Sequence, residues 1–523
     1  MATIQMIKEK PLKACIAIAP VFDFYFTPHR FTGLGSEILY TLLRETGCEV
    51  QLFNFPHQKK NKQLPLPKAL NYLKPHIIEN EKGRLSFFTR YQRFGPPLGQ
   101  CADQCIAFLP DIVFIPCFAF CYAEATLKLA SQIRAMCPKA IIVVGGAGVS
   151  AYPDFFIRNS DIDFALIGEA EVSISSFIKA LRSTTKDFSG VPNLYRKING
   201  HISAPQIKKQ TNADEIAFVL KKTNTTSKAI YFTTSLSRGC SKKCRFCSNF
   251  LCHGRDFRVI DIKKIQTGLT DIAINAEDIN KPVYVNFEDD NLLLAPKYFL
   301  NVLKIFKEKF PKIFFLAENG LDYTKLTPAL VKTLIDLGMT QFNLSIASTH
   351  LPTLKKEQRD ATFPLYETVI QTLEKYGIQS ITYFICGFKK DTKKTVAANI
   401  AYLAKQPTRI GISLFYPVPG IPDYTEKSVF DKHPPFLCAG SSAYPWNQSL
   451  TTAELITAFR LSRFVNLLKS DIKSEDEKVL IQKITQEKKL YTLIKKDGRL
   501  TIIPVPNADQ EMIWLFFDFF YND

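Results

Sequence analysis

The residues most capable of chemistry lie together at 238–250, RGCSKKCRFCSNF, where Cys240, Cys244 and Cys247 fall within eight residues. Three thiols leave one over in any disulfide pairing. The N-terminus, MATIQMIKEKPLKACIAIAP, has no apolar leader ahead of a cleavage site, which predicts a reducing, cytoplasmic setting. A structural zinc site needs four ligands, usually as paired groups. Cys252 or His253 could supply the fourth, so zinc stays open, although no second C-x2-C pair lies nearby. An iron–sulfur cluster accounts better for the spacing. Three thiolates hold three corners of a [4Fe–4S] cube and leave one iron free, and an open iron is a reactive position.

Positioning such a loop requires a scaffold, and the sequence around it alternates strand and helix. Strand candidates are AIYFTTSL (229–236), PVYVNF (282–287), KIFFLA (312–317), QFNLSI (341–346), SITYFI (380–385) and IGISLFY (410–416), with helical segments between them. This pattern predicts a partial (β/α)6 TIM-type barrel over 229–435, with the loops after its strands on one face. The three-cysteine loop follows the first strand, on that face.

C-x3-C-x-Φ-C after the first strand of a six-stranded barrel, with Phe246 as Φ, resembles the signature of radical S-adenosylmethionine (SAM) enzymes. The resemblance extends over 229–430. VNFEDDN (285–291) resembles the acidic turn after the second strand and LSIAST (344–349) the turn after the fourth. FICGF (384–388) resembles the end of the fifth strand, and FYPVPGIPDY (415–424) the turn closing the sixth. The resemblance implies that Cys240, Cys244 and Cys247 ligate a [4Fe–4S] cluster whose fourth iron binds SAM, which one electron splits to a 5′-deoxyadenosyl radical. It implies SAM contacts from Phe246, Glu288, Asp289, Asp290, Ser345, Ser348, Gly387 and Gly420. Each has an ordinary alternative as packing residue, helix cap or turn former. Arg255 and Arg258 could balance the cluster's charge or form surface ion pairs.

Residues 1–190 show a second alternation, with strands at 14–19, 48–55, 111–115, 139–145 and 163–167 and helices at 34–46, 121–137 and 170–181. This reads as an open, Rossmann-like parallel sheet, whose ligands bind beyond the carboxyl ends of the strands. Such a domain ahead of the barrel resembles the cobalamin-binding subclass of the same superfamily. The resemblance implies that Gly145, Gly146, Gly168 and Glu169 line the vitamin's site. His29 sits in TPHRFTG, which departs from the D-x-H-x-x-G of cobalt-ligating domains, so it is read as a loop residue. A fold retained without the vitamin is the competing reading. Cobalamin would direct the chemistry to methylation of an unactivated carbon; its absence, to a radical cyclisation or rearrangement.

The remainder divides into a linker at 191–228, with room for a small hairpin, and a small α+β region at 436–523. The latter contains a helix at 449–469 with Thr452 as candidate N-cap, a hairpin around Asp497-Gly498, and an aromatic end, MIWLFFDFFYND, expected to dock on the barrel. Of the thirteen cysteines, the pairs Cys101/Cys105 and Cys117/Cys121 are expected as buried thiols, with an auxiliary metal as the alternative. The formal charge of +18 raises a zinc-containing nucleic-acid-binding protein as the rival class. Much of that charge lies on solvated helix faces, so nucleic acid is disfavoured. The basic stretch 57–94 is read as a solvated insertion. No apolar run reaches the roughly 18 residues of a membrane span. The expected partners are a small-molecule or lipid-like substrate and a reductant of flavodoxin or ferredoxin type.

Overall fold

The computed structural model describes residues 10–27, 31, 33–272 and 280–522; His29 lies outside them. Strand Lys13–Ile18, KACIAI, is buried almost throughout because both faces of its sheet are covered. Ala14 and Ile16 face a core shared with helices Leu34–Glu45 and Ala170–Arg182. Cys15 and Ala17 face the opposite core, shared with helices Leu98–Ala107 and Ala123–Met136. The sheet runs, edge to edge, His201–Ser203, Leu194–Ile198, Phe164–Leu166, Ile141–Gly145, Ile112–Pro116, Lys13–Ile18, Glu49–Asn54. The last five are parallel, and the hairpin 194–203 joins antiparallel. The order in which the chain adds strands switches sides between Lys13–Ile18 and Ile112–Pro116, which opens a crevice at their carboxyl ends.

The second sheet has six parallel strands: Ile230–Thr234, Val283–Phe287, Ile313–Leu321, Met339–Ala347, Ser380–Cys386 and Arg409–Leu414. Its curl is open. At one edge Lys221–Thr225 pairs antiparallel with the first barrel strand. At the other, helix Thr452–Leu468 covers the sixth strand, and the Asn466 amide bonds both the N–H and the C=O of Ile410, at 2.7 and 2.8 Å. Stretch 191–228 is thus no bare tether, since it extends both sheets.

Three expectations need correction. The N-cap of helix Thr452–Leu468 is Thr451, because Thr451 and Glu454 form a reciprocal capping box. Helix Leu98–Ala107 was absent from the sequence reading and buries Cys101 and Cys105. Stretch 57–94 is not a solvated insertion: Leu70, Leu73, Leu85 and Phe87 join the barrel's core cluster, and Glu81–Lys82 pairs with the hairpin strand Tyr491–Lys496. Within this attachment Arg460 and Glu81, both fully buried, form an ion pair. The aromatic C-terminal helix Gln510–Asn522 buries Met512, Ile513, Phe516 and Phe517 against the barrel. Among the described residues no helix is long and apolar enough to cross a membrane.

Candidate functional site

The cysteine loop is drawn together at its neck by a short antiparallel ribbon, Ser237–Arg238 with Arg258–Val259. Gly239 enters the loop at φ +79°, and a Cβ there would stand 2.3 Å from Asp256 O, so only glycine fits. Asp290, from the turn after the second strand, accepts the Gly239 N–H at 3.0 Å and the Asn249 amide at 2.8 Å, fixing both ends of the loop. Between them the Arg245 N–H donates to Glu357 O, and the Phe246 ring packs on Phe388 at 5.5 Å.

Cys240, Cys244 and Cys247 face a cavity of about 140 Å³. Its other walls include Phe246, Asp290, Ser345, Lys242, Arg255, Asn291, Asp322 and Arg359. Arg359 reaches Cys244 Sγ at 3.8 Å and Ser345 O at 2.8 Å, and Asn291 Nδ2 reaches Cys240 Sγ at 3.9 Å. Lys242 pairs with buried Asp322 at 2.7 Å. Burial, followed by the neighbouring Cys244, Asp290 and Cys240, pushes the Cys247 thiol up to about 11. Three thiols lining one cavity suit a bound cation, which would deprotonate them outright. Arg359 Nε and Asn291 Oδ1 are buried on this wall without protein partners.

A second cavity, of about 350 Å³, lies at the crevice of the first sheet. Ile18, Phe31, Leu34, Ile38, Phe114 and Phe118 form its apolar depth, with Gly145, Gly146 and Gly168 at its rim. Gly146 adopts φ +95°, and a Cβ there would lie 2.8 Å from Cys117 O. The barrel supplies the remaining wall through Arg238, Cys252, His253 and Glu288. Glu169 lies at this boundary. Its carboxylate accepts from Arg258 at 2.9 and 3.0 Å and from the Thr211 N–H at 2.9 Å, and it pairs with His253 Nδ1 at 3.1 Å. Burial alone would raise its pKa, but His253, Arg258 and Thr211 hold it down at about 2.

Other predicted residues face elsewhere. Asp289 is buried and binds the Leu236 N–H and the Ser237 hydroxyl beneath the loop; burial raises it to about 7 against those bonds. Ser348 accepts the His350 N–H, and the Gly387 N–H donates to Asp391. Gly420, at φ +92°, packs near Leu251 and Ala151 O at the junction of barrel and first domain. None of these four lines either cavity. Cys252 and His253 turn to Gly168 O and Glu169, away from the three thiols. No group of three His, Cys, Asp or Glu among the described residues is arranged for a single metal ion. Cys101, Cys105 and Cys117 are buried, with pKa values raised; for Cys117 burial is the main cause. The sequence reading missed Lys242, Asn291, Asp322 and Arg359. Asn291 ends the acidic turn already singled out, whereas Arg359 comes from a helix–loop segment with no motif.

Residues 234–403 match the radical SAM superfamily. The chain carries a radical SAM domain over these residues. Its radical SAM domain implies a [4Fe–4S] cluster and SAM as cofactors. Among curated relatives, an uncharacterized methyltransferase of Pyrococcus horikoshii is 25% identical over 307 residues, or 57% of this chain. The bacteriochlorophyllide d C-12(1)-methyltransferase of Chlorobaculum tepidum is 26% identical over 194 residues, or 36% of this chain. These matches span 65% and 41% of the relatives' own lengths. Among solved structures, the radical SAM methyltransferase TsrM of Kitasatospora setae, with cobalamin and a [4Fe–4S] cluster bound, superposes with a TM-score of 0.54 at 15% identity. It covers 77% of this chain and 75% of its own. The cobalamin-dependent SAM radical enzyme OxsB, with aqua-cobalamin and SAM bound, gives 0.54 at 16% identity, covering 81% and 55%. At these identities the likeness is one of fold.

Proposed function

We propose that the chain is a cobalamin-dependent radical SAM methyltransferase acting on an unactivated carbon of a small or lipid-like molecule. The observation that carries this reading is the shared wall. The cavity at the carboxyl ends of the first sheet is closed by residues of, or beside, the cysteine loop, namely Arg238, Cys252 and His253, together with Glu288. A ligand held there would face the radical SAM domain rather than solvent.

The residues present fit both groups. Cys240, Cys244 and Cys247 would hold the cluster, with the partnerless Asn291 and Arg359 atoms beside them as its polar surround. Cobalamin would be held at the second cavity by its apolar lining of Ile18, Phe31, Leu34, Ile38, Phe114 and Phe118 and by the rim of Gly145, Gly146 and Gly168, where a side chain at 146 would collide with backbone. When bound, the cluster and SAM supply radical chemistry and cobalamin supplies methyl transfer. The chain's own contributions are steric and electrostatic. Asp290 sets the loop's shape, Arg359 and Arg255 bring positive charge to the thiolate side, and Phe246 with Phe388 walls off water. Two relatives and a structural neighbour named as methyltransferases favour this chemistry over cyclisation.

Anaerobic reconstitution with iron, sulfide and cobalamin, each quantified in the same sample, tests the reading. The expected result is about four irons and one cobalamin per chain, with iron lost on joint substitution of Cys240, Cys244 and Cys247 by alanine. Full iron with no retained cobalamin would remove the methyltransferase proposal and leave the radical SAM domain intact.

A further inference from the structure

The cluster cavity has a back wall, and that wall is also the floor of an external groove. Arg359 lines both: on the inner side it reaches Cys244 Sγ at 3.8 Å, and on the outer side it borders an open groove of about 820 Å³. The groove's other residues are Leu351, Pro352, Leu354, Lys355, Lys356, Ala361 and Lys390. Lys355 and Lys390 are exposed and, among the described residues, have no ion-pair partner; Lys389 adds another exposed cation beside them. Lys356 shares Asp423 at 3.5 Å, and Asp360, its side chain 78% exposed, pairs with Lys242 at 3.4 Å. Glu357 and Asp391 are buried and do not line the groove. The rim is apolar, and Leu351 is 63% exposed.

We propose that this groove is the docking surface of an acidic one-electron carrier protein of flavodoxin type. The inference rests on the radical SAM assignment and is independent of cobalamin. Three features converge. A positive surface complements an acidic carrier and accelerates encounter. An exposed leucine and proline beside it suit a protein contact, whereas a polyanion alone would have no use for them. A single side chain separates the groove from a cluster thiol, so an electron has a short route. The transfer moves one electron: the carrier's reduced cofactor is oxidised by one equivalent and the cluster goes from 2+ to 1+, with no bond or proton exchanged.

The test uses reconstituted full-length protein and reduced flavodoxin as the probe. Cluster bleaching is followed by anaerobic stopped-flow, and binding of oxidised flavodoxin by its flavin fluorescence. The variant K355E/K390E should slow bleaching by flavodoxin tenfold or more and weaken flavodoxin binding. Dithionite should bleach it as fast as wild type, and its iron content should be unchanged. Wild-type reduction by flavodoxin should fall with rising salt, and this dependence should flatten in the variant. Unaltered reduction and binding by flavodoxin in the variant would overturn the docking proposal. Absence of dithionite-bleachable absorbance in wild type would instead overturn the cluster assignment on which it rests.

Discussion

Replacing Glu169 with alanine should loosen the first domain from the barrel, and the structure allows the size of the effect to be worked out. The Glu169 side chain is 2% exposed and its Arg258 partner 11%. Removing the carboxylate leaves a buried guanidinium without its counter-ion, a change that typically costs about 3–5 kcal/mol. Arg258 keeps the His253 carbonyl at 2.6 Å and also the Thr211 carbonyl, which places the expectation at the low end, about 3 kcal/mol. For a cooperative unit of about 200 residues this lowers the melting temperature by roughly 6 °C or more. Anaerobic calorimetry measures the shift, and limited proteolysis between the two sheets reports the loosening. The companion variant E169A/R258M removes the stranded charge and should recover part of the loss. A melting temperature for Glu169→Ala within 1–2 °C of wild type, or strictly additive losses in the double variant, would refute this account.

Three further outcomes follow from the same geometry. Burial opposes the charged form of His253, but Cys252 and Glu169 hold its pKa up, from 6.5 to about 10. Its contribution to stability is therefore full below pH 6.5 and fades as pH rises to about 10, so thermal scans should show a steeper alkaline decline in wild type than in His253→Gln. Asp289 is raised, chiefly by burial, from 3.8 to about 7, so wild type should lose stability relative to Asp289→Asn across that interval. The slope should be at most about 1.4 kcal/mol per pH unit and level off above, as urea titrations at several pH values would reveal. Gly146→Ala should cost about 1–3 kcal/mol through its positive φ and the 2.8 Å approach to Cys117 O, and should weaken cobalamin retention measured by absorbance of the washed protein.

Much of this arrangement was legible from local pattern. The six barrel strands were expected within a few residues of where they lie, because parallel strands buried on both faces appear as short apolar runs between amphipathic helices. The cysteine spacing, and the glycines after strands Ile141–Gly145 and Phe164–Leu166, marked the two cavities for the same reason: strand ends are local features. The partners were not legible. Glu169 meets Arg258 89 residues later, and Glu81 meets Arg460 379 residues later; no periodicity encodes such pairs. Thr451 was legible and misassigned. Glu454 stands three residues after it, the spacing of a capping box, which selects Thr451 over Thr452. Helix Leu98–Ala107, LGQCADQCIA, lacks the charged face that announces a surface helix, since its cysteines turn inward.

The pairing of Glu81–Lys82 with strand Tyr491–Lys496 bears on how the chain is made. A ribosome adding about 5–20 residues per second delivers Arg460 roughly 20–80 s after Glu81. For that interval the early segment is an acid without its base and a strand without its neighbour, while the parallel sheets on either side assemble. Synthesis therefore passes through a long-lived nascent species with an open sticky edge. The yield of native protein should depend on chaperone supply during translation more than on the stability of the finished fold.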